Sequence, residues 1–128
     1  MLMAKQVVKT VAIVDDDEDL LEAYAIALKR YGYQVALSSK DAETVIEWMR
    51  TKRPSSISEC DTFLMDYHLG EWRKKNGLDA AREIRRILPS ARITIASGDR
   101  SIKGWVLAEG FQFLAKPFSI SNLLELLR

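Results

Sequence analysis

Two short apolar runs in this chain each stop abruptly at a carboxylate: Val11-Ala12-Ile13-Val14 at Asp15-Asp16, and Phe63-Leu64-Met65 at Asp66. A run of this length between turn signals reads as a buried strand. A third run, Phe111 to Ala115, stops at Lys116. Open α/β sheets gather their ligands beyond the carboxyl ends of the strands. These three charged ends are therefore the first place to look for chemistry. Taken singly, each has a plainer reading. A strand-terminal Asp often only caps the next turn or helix, and the acids Asp15 to Asp19 can be no more than the start of a helix, where negative charge suits the dipole.

The segments between the runs carry helical spacing. Val7 to Val14 is the first strand, apolar on both faces as a central strand should be. Asp17 to Asp19 supply a cap and first turn, after which Leu20, Leu21, Tyr24, Leu28 and Tyr31 recur at helical intervals up to Gly32, which ends the helix. Tyr33 to Leu37 is the second strand, and Asp41 opens a second helix with Ala42, Val45, Ile46 and Met49 on one face. Pro54 and three serines lead into the Asp66 strand. Asn76-Gly77 precedes a third helix whose stripe is Leu78, Ala81, Ile84, Ile87 and Leu88, stopped by Pro89. Arg92 to Ala96 is strand four, Ile102 to Glu109 leaves room for a short fourth helix closed by Gly110, and Phe111 to Ala115 is strand five. Ser119 caps a last helix carrying Leu123, Leu124 and Leu127. Trp48 and Trp105 fall at helical positions and read as packing residues, and Cys60 as an inert thiol. Five strands alternating with five helices imply parallel pairing through right-handed crossovers. The class is α/β: a doubly wound five-stranded parallel sheet with helices on both faces.

At 128 residues the chain has room for one domain with a real core. Nineteen basic against eighteen acidic residues leave a net charge of +1, which gives no electrostatic case for nucleic acid or a membrane surface. The cluster Arg73-Lys74-Lys75 reads as solvated loop. One cysteine excludes an internal disulfide and suits a reducing compartment. No apolar run approaches the roughly 20 residues of a membrane span, and Met1 to Lys5 lacks the apolar region of a signal peptide. The expectation is a soluble, cytoplasmic, single domain over 1–128 with no effector domain.

In a doubly wound sheet the first and third strands can be neighbours at the switch point. Asp15, Asp16 and Asp66 would then converge, and three close carboxylates repel unless a cation or proton intervenes. A hard divalent ion such as Mg²⁺ answers this, because it needs few protein ligands. Lys116 adds a cation to the same crevice, and Ser97, just past strand four, adds a hydroxyl. Such a set suits a phosphoryl group: cations for its equatorial oxygens, a hydroxyl to donate, a carboxylate to accept it.

These residues also resemble a known family. Asp15-Asp16 after strand one, Met65-Asp66-Tyr67 at strand three, Ser97-Gly98 after strand four and Lys116-Pro117-Phe118 after strand five, in that order, resemble the receiver domain of two-component response regulators. The resemblance runs from Val7 to Leu127. It implies the flavodoxin-like strand order 2-1-3-4-5 and makes Asp66 the phosphoacceptor. It implies Mg²⁺ held by Asp16, Asp66 and the backbone carbonyl of His68, with Asp15 acting through water. It assigns Ser97 as the switch hydroxyl, Lys116 as the lysine that pairs with the phosphoryl group, and Phe113 as the switch aromatic. His68 and Asp99 would border the path of the hydrolytic water and tune phosphoryl lifetime. Lys116-Pro117 is expected to be cis on the resemblance, although sequence alone favours trans. The implied donor is a phosphohistidine on a histidine kinase or histidine phosphotransfer protein.

Two departures from the family pattern stand out. Gly70 replaces the usual Pro, and Gly77 lies eleven residues after Asp66, so about three extra residues within Glu71-Trp72-Arg73-Lys74-Lys75 lengthen the loop beside the site. Ser97 and Lys116 are nineteen residues apart, which shortens the fourth helix. In this shortening, together with its Asp66-Tyr67-His68-Leu69 loop, the chain resembles receivers attached to hybrid histidine kinases, and it is expected to be a homodimer or part of a longer hybrid kinase. Two rival functions remain. One is a receiver-like docking module that takes up no phosphate. The other is a haloacid-dehalogenase-type phosphatase with Asp15 as nucleophile, a reading opposed by the absence of an acidic pair after Lys116. Asp66→Asn separates the readings, abolishing phosphorylation on the first and sparing activity on the phosphatase reading.

Overall fold

A computed structural model describes residues 9–51, 60–69 and 76–128. Along the chain run β1 (Thr10–Val14), α1 (Glu18–Arg30), β2 (Gln34–Ser39), α2 (Ala42–Thr51), β3 (Thr62–Asp66), α3 (Gly77–Ile87), β4 (Arg92–Ser97), α4 (Lys103–Ala108), β5 (Gln112–Ala115) and α5 (Ile120–Leu127). One 3-10 turn, Arg100–Ile102, leads into α4. The strands form one sheet in the order β2-β1-β3-β4-β5, and every neighbouring pair is parallel.

The continuous apolar runs are explained by cover on both faces. Val11, Ile13, Leu64, Ala96 and Leu114 pack with Leu21 and Leu28 of α1 and Leu123 and Leu127 of α5. Ala12, Val14, Phe63, Met65, Ile93 and Ile95 point the other way, into a larger core completed by α2, α3 and α4. Alternate residues of one strand thus enter different cores, as the two-residue period of a strand requires. In β1 and β3 both sets are apolar. Beside them, β2 joins β1 with Val35 opposite Val11 and Leu37 opposite Ala12, so Ala36 bulges from the ladder.

The helix starts follow their caps. Asp17 accepts from the Asp19 and Leu20 amides, Asp41 from the Thr44 amide at 2.7 Å, and Asn76 and Ser119 each form a reciprocal capping box. Gly32 and Gly110 leave their helices at φ of +87° and +82°, a region that suits a residue without a Cβ.

Several boundaries differ from the sequence reading. β2 starts at Gln34 rather than Tyr33 and runs on to Ser39, because the Ser39 hydroxyl is buried against the Asp41 backbone. β4 includes Ser97, and β5 starts one residue after Phe111. Tyr31 lies past the end of α1 and is 55% exposed. Trp105 is a correction as well: it is 62% exposed on α4, whereas Trp48 is buried in the larger core as expected. A six-residue helix needs only Val106 and the preceding Ile102 against the sheet, and Trp105 falls outside that face. Residues Val7 and Val8, the Pro54 linker and the loop with Gly70, Trp72 and Arg73-Lys74-Lys75 lie outside the described residues.

Candidate phosphoryl and metal site

Adjacency of β1 and β3 brings the ends of the two acid-terminated runs together. One carboxylate oxygen from each of Asp15, Asp16 and Asp66 lies within 4.8 Å of the others. Asp15 and Asp66 are buried, while Asp16 is exposed at the mouth. From the far side of the crevice the Lys116 ammonium donates to Asp15 Oδ2 and pairs with Asp66 Oδ1, both at 2.9 Å. The other Asp15 oxygen accepts from the Asp17 amide at 2.9 Å, which fixes the carboxylate's orientation. The Lys116–Pro117 peptide is cis.

Electrostatics follow from this crowding. Burial pushes the Asp66 carboxyl up to about 6; its hydrogen bond to Lys116 works against this, and the Asp15 charge adds to it. Burial opposes the charge on Lys116, yet its hydrogen bonds to Asp15 and Asp66 outweigh that and leave it raised. One ammonium, paired with two of three clustered carboxylates, leaves the site short of positive charge. An all-oxygen donor set with surplus negative charge fits a hard cation. Asp15, Asp16 and Asp66 are the residues that could hold one.

Around this centre the other expected residues take distinct places. Ser97 is buried at the end of β4, and its hydroxyl accepts from the Asp99 amide at 3.0 Å. Its carbonyl accepts from the Lys116 amide at 2.9 Å, tying β4 to β5 at the crevice. Phe113, half-buried, packs against the larger core. His68 and Asp99 are exposed at the rim. Hydrogen bonds from the Ser101 side chain and amide hold the Asp99 carboxyl below its ordinary range, and the His68 charge acts in the same direction.

Two contacts were missed by sequence reasoning. A Cβ built on Gly77 would overlap the Asp66 carbonyl oxygen and lie 2.9 Å from Tyr67 Cα. The N-terminus of α3 thus rests on the backbone at the end of β3. The only signal was the Asn-Gly pair itself, which reads equally well as a helix cap. Tyr24 of α1 stacks on Phe118 with centroids 5.4 Å apart. With Leu20, Lys116 and Pro117 these two line a cavity of about 330 Å³ that opens beside the lysine. Burial raises the Tyr24 phenol, and Lys116, Asp15 and Asp66 all act on it. Its place on the helical stripe marked it for the core alone.

Comparison with known proteins agrees with this architecture. The chemotaxis protein CheY of Thermotoga maritima is 30% identical over 122 residues, covering 93% of this chain and 94% of that protein. The transcriptional regulator NtrC of Azospirillum brasilense is 27% identical over 119 residues, but the chain spans only 23% of its length. A chain of the CheX–CheY–BeF3–Mg²⁺ complex of Borrelia burgdorferi superposes with a TM-score of 0.78 at 19% identity, over 93% of this chain and 86% of that one. A response regulator receiver domain protein of Clostridium thermocellum gives 0.78 at 21%, over 93% and 90%. At these identities the superpositions speak for the fold. The profile of the response regulator receiver domain matches residues 11–128, and with the sheet order and the relatives in agreement, the chain belongs to the receiver domain family of two-component response regulators.

Proposed function

We propose that this chain is a working phosphoacceptor: Asp66 takes a phosphoryl group from the phosphohistidine of a histidine kinase or phosphotransfer protein. The observation that carries the reading is the Asp66 carboxylate, buried at the end of β3, 2.9 Å from the Lys116 ammonium and clustered with Asp15 and Asp16. An Asp66 oxygen would attack phosphorus in line as the phosphorus–nitrogen bond breaks, its electron pair staying on the donor imidazole. Lys116 would shift from Asp66 towards the phosphoryl oxygens while keeping Asp15. Ser97 would turn its hydroxyl from the Asp99 amide to a phosphoryl oxygen, and Phe113 would repack in response. Asp16, Asp66 and the His68 carbonyl, with Asp15 through water, would hold Mg²⁺. When bound, that ion would neutralise charge on the transferring group. His68 and Asp99 at the rim would control access of the water that ends the state.

The phosphatase alternative gains no support. Its acid–base residue would be Asp17, whose carboxylate is committed to capping α1. Intact mass after incubation with acetyl phosphate and Mg²⁺ tests the proposal. A single phosphoryl gain that disappears in Asp66→Asn and without metal is expected. A gain that survives Asp66→Asn would move the acceptor elsewhere. No adduct, with no calorimetric binding of beryllofluoride, would reduce the chain to a docking module.

A further inference from the structure

Helix α3 touches the site at one end and the α4–β5 turn at the other. At its N-terminus, Gly77 presses on the Asp66 carbonyl, the Gly77 amide donates to the Tyr67 carbonyl at 2.8 Å, and Asn76 donates to the Tyr67 hydroxyl at 3.3 Å. At its other end Arg85 donates to the carbonyls of Ala91, Glu109 and Gly110 at 2.9, 3.2 and 3.4 Å. Its guanidinium also lies 4.2 Å from the centre of the Phe111 ring, a favourable cation–π distance. Arg82, one turn earlier, pairs with Glu109 at 2.7 Å and with Asp79 at 3.2 Å. A Cβ on Gly110 would come within 3.2 Å of the Arg85 guanidinium, so the turn fits closely around it.

We propose that α3 is a strut: its arginines clamp the turn after the short α4, so that a change at the Asp66 backbone reaches residues 103–113 through α3 as well as through β4 and β5. Three facts give the clamp its purchase on this segment. First, α4 has only six residues. Second, among the described residues its buried anchors are Val106 and the preceding Ile102. Third, Phe111, gripped by Arg85, sits in the same larger core against which Phe113, two residues on, packs. Arg85 supplies most of the grip because its planar fork reaches three carbonyls and a ring at once. The exposed Arg82–Glu109 pair adds direction more than strength.

The inference rests on the phosphoacceptor reading, and hydrogen exchange with and without beryllofluoride and Mg²⁺ separates the two. In the unaltered chain, loading is expected to change exchange in 82–87 and in 103–111 together. In Arg82→Ala/Arg85→Met, beryllofluoride should still bind, exchange in 103–111 of the free protein should rise about tenfold, and the response of that segment to loading should fall by at least half. A response of 103–111 that is the same in both proteins, or one that leaves 82–87 silent, overturns the strut. Failure of the unaltered chain to bind beryllofluoride overturns the phosphoacceptor reading and takes the strut with it. If the double variant does not fold, Arg85→Lys, which keeps the charge but loses the planar fork, is read in the same way, with a smaller loss expected.

Discussion

Asp66 is drawn towards its charged form by Lys116 and away from it by burial and by its acidic neighbours. The unfolded carboxyl titrates near 3.8 and the folded one at about 6, so between those values the folded chain keeps a proton that the unfolded chain has released. Stability from this group is therefore full below about pH 4 and falls as pH rises through about 6. Asp66→Asn should accordingly stabilise the metal-free protein at pH 7.5 by up to about 3 kcal/mol and do little at pH 4, as measured by urea unfolding. Equal effects at both pH values would show that the charge is not the cause. Lys116→Met has the opposite sign. It strands the buried Asp15 and Asp66 without a cation and should cost about 3 kcal/mol at pH 8. The loss should shrink at pH 5, where a proton on Asp66 removes one of the two stranded charges. A pH-independent loss would mean that Lys116 contributes through packing.

Two glycines give an internal comparison at the level of elements. Gly77 opens α3 against the Asp66 carbonyl, whereas Gly104 in α4 has nothing within 4 Å of where a Cβ would sit. Gly77→Ala is expected to cost about 1–3 kcal/mol by overpacking and to slow phosphoryl uptake. Gly104→Ala should stabilise by roughly 0.5–1 kcal/mol through helix propensity. Thermal melts of both, with the mass assay on the first, test the pair. The helix starts were legible because Asp17, Asn76 and Ser119 announce themselves chemically. The central strands were legible because burial on both faces leaves unbroken apolar runs. The end of β2 was not, since Ser38 and Ser39 carry no apolar signal and Ser39 owes its burial to a local bond with Asp41. Trp105 was misread because helical spacing sets a period but not a phase, and six residues offer too few turns to fix one. The convergence of Asp15, Asp16, Asp66 and Lys116 could be read from strand ends. Contacts such as Gly77 on Asp66 and Arg85 on Phe111 depend on loop paths that no local pattern encodes.

For the whole molecule, ligand and fold should be linked through the same carboxylates. Mg²⁺ at a hundred times its dissociation constant should stabilise by about 2.7 kcal/mol. Because a proton and a cation held as proposed would compete for Asp66, that gain should diminish as pH falls through about 6. Melting curves with Mg²⁺ and with a chelator, at pH 7.5 and pH 5, would show it. An equal Mg²⁺ effect at both would place the ion elsewhere. The described residues include no helix long and apolar enough to cross a membrane.

The bulge at Ala36 bears on how the protein behaves when crowded. A parallel sheet ends in two open rows of amides and carbonyls, each a template on which another molecule's chain could grow. Here β5 offers only four residues on one side, and on the other β2 breaks its regular repeat at Ala36. An incoming strand would find no long, even row to match, which favours molecules that stay dispersed at high concentration. Deleting Ala36 would straighten that margin, and light scattering of the concentrated variant should then reveal more fibrous or amorphous growth than the unaltered chain shows under the same conditions.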